Sequence, residues 1–378
     1  MKDFVPKGTG NSRFLKSVSN FLSLYPSYED FVAALVAGTL PIDLNGINAE
    51  GVTQVGTGLT KANFLTDATA TALELSQADP TVNDALYALS QKTQPAVLNI
   101  HTNSGVVVRA TKGSKVLSAT ANSSGLAVLY PDEFGTWTLS ATISGKTLTV
   151  PFEIDAIAVF DFVMTTNLET ASWALIHAVS EAGNAASVWS VGDKKTVNIG
   201  GVNYQAQIIG FNHDTKTAGG KAGITFQLVD CLNSTEQMET SNTNANGWEG
   251  CKMRKTTLPN ILTQLPEDLQ TCIVPVNKVS SVGNNSSSLE TTSDKLFLLS
   301  EIEIFGATTY SFAGEGTQYA WYAAGNTKVK KVNGSANYWW GRSPRSGGTT
   351  YFCGVYSNGV AYSGDANGSY GVSFGFCV

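Results

Sequence analysis

From Tyr338 to Val378 the chain reads YWWGRSPRSGGTTYFCGVYSNGVAYSGDANGSYGVSFGFCV. Aromatic strands open and close this stretch, and almost everything between them is Tyr, Ser, Asn, Gly, Thr or Asp. Glycine and asparagine at this density call for tight turns, so the segment reads as short β-hairpins. Its exposed side chains are those of a binding surface. Tyr offers a large contact area with few rotatable bonds, and Ser, Gly and Asn supply adaptable hydrogen bonding on loops. An ordinary Gly-rich hairpin region closing a fold has the same composition.

A chain of 378 residues is too long for one core of usual size and implies two or three domains. Hydrophobic residues make up 42% and charged residues 14%, which excludes wholesale disorder, and 37 glycines favour a β-rich, loop-rich protein. A net charge of −6 with no Lys/Arg cluster argues against nucleic acid or an anionic membrane as partner. The N-terminus has no apolar core of signal-peptide length, and no apolar run is long enough to span a bilayer. The expectation is synthesis in a cytoplasm, with any outside role reached by another route. The five cysteines fit neither a zinc site nor a dense disulfide framework and read as buried thiols. Cys353 and Cys377, on strands expected to be adjacent, are the pair to consider for a bridge.

Residues 1–94 hold helical periodicity at Phe31, Leu35 and Val36 after Glu29 and Asp30, ended by Gly38 and Pro41. Further helices are expected around Asp67 to Leu75 and Thr81 to Leu89, the latter capped by Asp79 with Pro80 at its first position. The phrases LNGINAEGVTQVGTGLTKANFLTDATATAL and DPTVNDAL resemble attachment and shaft segments of bacteriophage tail proteins. That resemblance implies a virion structural protein, commonly a homotrimer, joined to other phage tail proteins through this segment.

Over residues 95–164, short alternating runs are separated by NSG, KGS, NSSG and ISGK turns, the pattern of a small β-sandwich. Trp137 falls at the inward phase of its strand and is expected in the core. The stretch resembles the immunoglobulin-like modules that phage and bacterial surface proteins use as spacers. His101 has no Cys, Asp or Glu at ligand spacing, so no metal role is expected.

Over residues 165–378, LETASWALIHAVSEAG is an amphipathic helix closed by Gly183, followed by two strands joined at Gly200 and Gly201. ITFQL is a buried strand, and a second helix carries Pro259 near its start. A long Ser/Asn/Thr loop is expected before KLFLLSEIEIFG, itself read as a strand. The ordered phrases WSVGDKK, IIGFNHD, Trp248 to Arg254, LPEDL, EGTQYAWY, YWWGRSP and GVSFGF are similar to one kind of C-type-lectin-like domain. Phage and gut-bacterial proteins carry it, including variable proteins diversified by retroelements, of the major tropism determinant type. Gly341 replaces a bulky residue between WW and RSP, and GVSFGF replaces GVRPAF. No EPN, QPD or WND phrase for calcium is present. Formylglycine-generating enzymes share that fold and use paired cysteines for oxidation.

Several residues invite chemistry. His213 and Asp214, with Lys216 nearby in sequence, could form a general base pair, but a structural turn explains the phrase as well. Glu301 and Glu303, expected on one strand face, lack a cleft phrase for glycoside hydrolysis. His177 reads as a packed helical residue. Of Trp339 and Trp340, one is expected in the core and the other as a floor for the loops. Arg342 and Arg345 could bind acidic groups, although the RSP phrase equally fixes a loop.

The reading is a multidomain α+β chain: a mixed helical/β attachment segment (1–94), an immunoglobulin-like β-sandwich spacer (95–164) and a C-type-lectin-like ligand-binding domain (165–378). The expected function is that of a phage tail-tip receptor-binding protein in the virion, not an enzyme, with no cofactor or metal. Its partner would be a bacterial surface receptor, protein or glycan. The residues expected to face it are Ser346, Thr349, Tyr351, Tyr356, Asn358, Tyr362, Asp365, Asn367, Ser369 and Tyr370. Alternatives are a bacterial surface adhesin with the same domain and an oxidative enzyme of the formylglycine-generating branch.

Overall fold

The computed structural model describes residues 96–378. The helices expected before residue 94 lie outside them. The alternating segments become β1 (Ala96–His101), β2 (Val107–Lys112), β3 (Lys115–Thr120), β4 (Leu126–Leu129), β5 (Gly135–Ile143), β6 (Lys146–Ile154) and β7 (Ala158–Val163). They form a three-stranded sheet, β4-β1-β7, and a four-stranded sheet, β3-β2-β5-β6. Burial follows the period of two that a half-buried strand requires: in β1, Ala96, Leu98 and Ile100 are buried and the residues between them are not. Leu98, Ile100, Leu139 and Leu148 point inward with Trp137, which is fully buried and donates its indole N–H to the Glu133 carbonyl at 2.9 Å.

The rest alternates short helices with strands. It comprises α1 (Trp173–Glu181), α2 (Ala185–Val188), β8 (Lys194–Ile199), β9 (Val202–Phe211), β10 (Ile224–Leu228), β11 (Thr235–Glu236) and α3 (Gly247–Gly250). A π-helical turn (Met253–Thr257) leads to α4 (Leu258–Leu262) and α5 (Glu267–Cys272), then β12 (Val276–Ser281), β13 (Leu289–Asp294), β14 (Leu296–Phe297), α6 (Glu301–Phe305) and α7 (Ala320–Ala323). The last strands are β15 (Lys330–Val332), β16 (Ser335–Asn337), β17 (Trp339–Pro344), β18 (Tyr351–Val355), β19 (Ala361–Asp365), β20 (Tyr370–Gly371) and β21 (Gly375–Cys377). The described residues are thus mostly β-sheet with short helices, a mixed β-rich architecture.

Two five-stranded sheets organise this part, β14-β21-β10-β9-β8 and β11-β20-β17-β18-β19. In the first, β10 is buried along its whole length, and Phe226 stacks on Phe376 of β21 at 5.3 Å. Trp173 of α1 meets both rings edge-on, at 5.5 and 5.9 Å. Ser172 caps α1 by accepting from the Leu175 N–H, and Gly183 follows it in the left-handed region at φ 72°. Gly200 and Gly201, both at positive φ, make the β8-β9 turn. Residues 96–378 belong to one compact unit, and the Lys146 ammonium of β6 reaches the Val188 carbonyl of α2 at 2.6 Å.

Two expectations change. SEIEIFG is a helix, not a strand: Ser300 and Glu303 make a reciprocal capping box, and Gly306 closes the turn at φ 74°. Its apolar-polar alternation spans too few residues to distinguish the two periods. The expected Ser/Asn/Thr loop is instead an antiparallel hairpin, with Val276 to Ser281 paired against Asp294 to Leu289. Buried Ser280, Ser281 and Thr292 occupy inward positions there, where an apolar residue would signal a strand.

Candidate binding surface

The second sheet carries the expected site residues. Trp339 and Trp340 on β17 are both buried, and their indole N–H groups donate to Lys328 O at 2.9 Å and Glu236 O at 2.7 Å. Trp340 also lies 4.6 Å from the Tyr370 ring, so the residue that floors the loops belongs to the core as well. Above this floor Tyr338, Tyr356, Tyr362 and Tyr370 form one cluster. Tyr338 meets Tyr356 edge-on at 4.4 Å and lies 5.0 Å from Tyr362 and 5.5 Å from Tyr370. Edge-to-face packing suits the ring quadrupoles and fixes each phenol relative to its neighbours. The neighbouring Tyr356 hydroxyl holds the Tyr338 phenol up to about 12, and burial followed by contact with Tyr370 does the same for Tyr362. Both remain neutral donors at physiological pH.

Glycines create the space for this packing. Gly354 lies opposite Trp340 on one side and Tyr362 on the other. Tyr370 lies across Gly364 and Gly368, and a Cβ on Gly364 would sit 2.9 Å from Tyr370 Cζ. Gly364→Ala is therefore expected to tilt Tyr370 off Trp340 and disperse the cluster while the fold persists. Near-ultraviolet circular dichroism would record the loss, and an unchanged aromatic spectrum would show that Tyr370 does not depend on that glycine. Gly341 sits where β17 shifts register, and a Cβ there would come within 2.9 Å of Leu299 O. The backbone at this point excludes a bulky residue.

The ten expected residues divide. Thr349, Asn358, Asp365, Asn367 and Ser369 are exposed, while Ser346, Tyr351, Tyr356, Tyr362 and Tyr370 are half-buried. Three of these tyrosines join the cluster. Tyr351 does not: it and Tyr310 flank the Arg345 guanidinium at 5.2 and 5.3 Å, a separate cation–π stack. Ser346 turns its hydroxyl to Tyr310 O at 2.7 Å and serves the loop. Tyr338 completes the cluster and was missed, although its place at the head of YWW put it directly before the strand that carries the tryptophans.

The loops are pinned from below. Buried Asn244 donates to Gly348 O and Tyr351 O at 3.1 and 2.8 Å and accepts from the Asn284 N–H at 2.9 Å. Glu301, also buried, accepts backbone N–H groups of Thr309, Tyr310 and Ser311 at 2.7 to 3.1 Å. Its role is therefore to shape a loop. Asn242 reaches Asp365 at 2.9 Å, and Gln237 reaches Asn367 O at 2.6 Å. These contacts hold the rim beside the aromatic cluster without removing it from solvent.

A buried ionic network underlies this framework. Lys278 on β12 donates to Asp214 Oδ1 at 2.7 Å, Glu303 Oε1 at 2.8 Å and the Tyr319 hydroxyl at 2.9 Å. Arg342 forks onto Glu303 and also donates to the carbonyls of Val279, Leu298 and Glu315. Despite burial, the Lys278 ammonium holds Asp214 far below the ordinary carboxylate range, and Arg342 with Lys278 holds Glu303 below its own. Arg342 thus fixes the framework and offers nothing to an external acid.

His213, Asp214 and Glu303 place one ligand atom each within 4.8 Å of one another. The set does not suit a metal ion, because Lys278 and Arg342 already neutralise the two carboxylates and use their lone pairs. His213 stacks on Tyr319 at 4.0 Å, and burial pulls its pKa down, so its ring stays neutral. Lys216 takes no part; it pairs with Glu181 at 2.8 Å. Asp214 is more than a turn residue, contrary to the simpler reading. His177 is half-buried on α1, and exposed His101 lies 3.8 Å from Asp161.

All five cysteines are free and buried. Cys353 lies on β18 and Cys377 on β21, which belong to different sheets, so the expected adjacency fails. The intervening β19 and β20 stay in the sheet of β18, and the chain crosses to the other sheet only between β20 and β21. Burial pushes the Cys231 and Cys251 thiols to about 12 and the Cys353 and Cys377 thiols well above their usual value.

Two clefts of about 350 and 270 Å³ flank the Tyr204 ring, and neither is lined by the clustered tyrosines. The candidate surface lies outside both clefts. Among the described residues no helix is long and apolar enough to cross a membrane.

Residues 222–378 match a family described as a domain of unknown function (DUF6273). No curated protein matches the chain. The matched span contains the whole tyrosine cluster together with Lys278, Glu303 and Arg342, and it begins after Asp214.

Proposed function

We propose that this chain is a receptor-binding protein of a phage tail tip, in which a C-type-lectin-like domain over 165–378 presents a ligand-binding face and the immunoglobulin-like sandwich over 95–164 holds it away from the virion. The observation that carries the reading is the four-tyrosine cluster on a tryptophan floor, rimmed by exposed Asn358, Asp365, Asn367 and Ser369. Rigid aromatic anchors beside adaptable polar groups give contact area at low entropic cost. The burial and separation of the cysteines weigh against the oxidative alternative, since reactive thiols need exposure and a lowered pKa. In a homotrimer, weak single sites would add through effective concentration.

The test is binding of the purified chain to intact bacterial cells, with wild type compared to a Tyr356→Ala, Tyr362→Ala, Tyr370→Ala variant. Strain-selective binding that falls at least tenfold in the folded variant is expected, because each central tyrosine of an interface carries about 1–2 kcal/mol or more. Equal binding by both proteins would remove the site from this face. A requirement for bacterial rather than virion attachment would favour the adhesin alternative.

A further inference from the structure

The Lys278–Asp214–Glu303 cluster does more than balance charge. The Lys278 nitrogen is 2.7 Å from Asp214 Oδ1 and 2.8 Å from Glu303 Oε1, and all three side chains are at least 95% buried. The Phe297 ring centroid lies 4.0 Å from the same nitrogen, and Tyr319, fully buried, closes another side. Two hydroxyls, Thr225 at 2.7 Å and Tyr319 at 2.9 Å, donate to Asp214 Oδ2, the oxygen turned away from the amine. An amine, a carboxyl, a second carboxylate touching the amine and two donors on the far oxygen make the set needed for acyl transfer.

We propose that Lys278 and Asp214 condense to an intramolecular isopeptide bond, with Glu303 as the proton carrier. The ammonium yields one proton to Asp214 Oδ1 through Glu303 Oε1, leaving a neutral amine beside a neutral carboxylic acid. The nitrogen lone pair attacks Asp214 Cγ, and negative charge gathers on Oδ2, where Thr225 and Tyr319 stabilise it. A second proton leaves the nitrogen by the same route to Oδ1. The Cγ–Oδ1 bond breaks, one water departs, and an amide N–H remains. No oxidant or other reactant enters, and the charges balance before and after.

The environment favours the product. A buried ion pair loses much of its solvation, and replacing it with a neutral amide removes that cost. Glu303 keeps its partner afterwards, because Arg342 binds it independently of Lys278. The ion pair is the resting state and holds Asp214 charged, so the reaction passes through a minor neutral form. A single turnover per molecule suffices. The bond ties the segment after β9 to β12 across 64 residues of sequence and restricts the unfolded chain as a disulfide would.

The experiment is intact-mass spectrometry of the full-length purified chain, fresh and after prolonged incubation, followed by proteolysis and peptide mapping. The expected result is a mass lower by one water and a branched peptide joining Lys278 to Asp214. Lys278→Met should show its full calculated mass, and Glu303→Gln should accumulate unreacted chain. The wild-type peptide map stands without either variant should these fail to fold. Full mass after incubation, with Lys278 recovered only in linear peptides, overturns the proposal.

Discussion

Arg342→Met should destabilise the described unit by about 3–5 kcal/mol, the cost of leaving a buried carboxylate without its partner. Arg342 is 1% exposed, and its guanidinium serves Glu303 together with three backbone carbonyls from separate segments. Methionine nearly matches its length and cannot replace any of those donors. The loss would appear as a lower midpoint in urea unfolding followed by tryptophan fluorescence. Arg342→Met combined with Glu303→Met should recover a substantial part of it, because the stranded charge is then gone. A single variant as stable as wild type would mean that Glu303 is satisfied without the arginine.

The second large effect is a steep loss of stability in acid, with an opposing contribution from Glu315 above it. Glu303 and Asp214 have their pKa values lowered from ordinary values of 4.5 and 3.8. Their stabilisation is fully present above those values and is lost as pH falls through the lower folded ones. Glu315 has the opposite sign. It is buried, its Oε2 has no partner, and burial raises its pKa above 4.5. Its ionisation penalises the folded state, so its contribution to stability is lost as pH rises from 4.5 through the raised value. His213, whose pKa burial lowers from 6.5, works against Glu315 over this range, because its stabilisation is lost as pH falls. Urea midpoints should drop steeply below about 4, where the Glu303 and Asp214 contributions are lost. Glu315→Gln should raise the midpoint near neutrality relative to wild type and leave the acid limb in place. If Lys278 and Asp214 are joined, Asp214 no longer titrates, and Glu303 is the buried carboxylate of this network that still shapes that limb.

Sequence reasoning succeeded where one local signal dominated. Strand alternation over residues 96–163, the helix at Trp173–Glu181 and the glycine turn at Gly200 and Gly201 each state a period or a φ requirement directly. SEIEIFG failed because its alternation mimics a strand, although Ser300, Glu303 and Gly306 carried the capping signature. The β12–β13 hairpin was hidden because Ser and Thr fill inward positions. The ionic network was not readable at all, since its members lie 64, 25 and 39 residues apart along the chain and only the fold joins them. Of the surface, composition identified the tyrosines but not their partition between the cluster and the Arg345 stack.

Strand β21 lies between β14 and β10, with Cys377 in register with Thr225 and Phe376 with Leu296. The first sheet of the terminal half therefore cannot close until residues 375–377 have left the ribosome, whatever has formed before. Contacts separated by some 150 residues wait for that strand, which slows folding and leaves the edges of β10 and β14 unpaired until it arrives. The hairpins between β17 and β21 are translated and tethered within that waiting period. Their residues can be exchanged without altering the order of assembly only while both flanking framework strands stay intact.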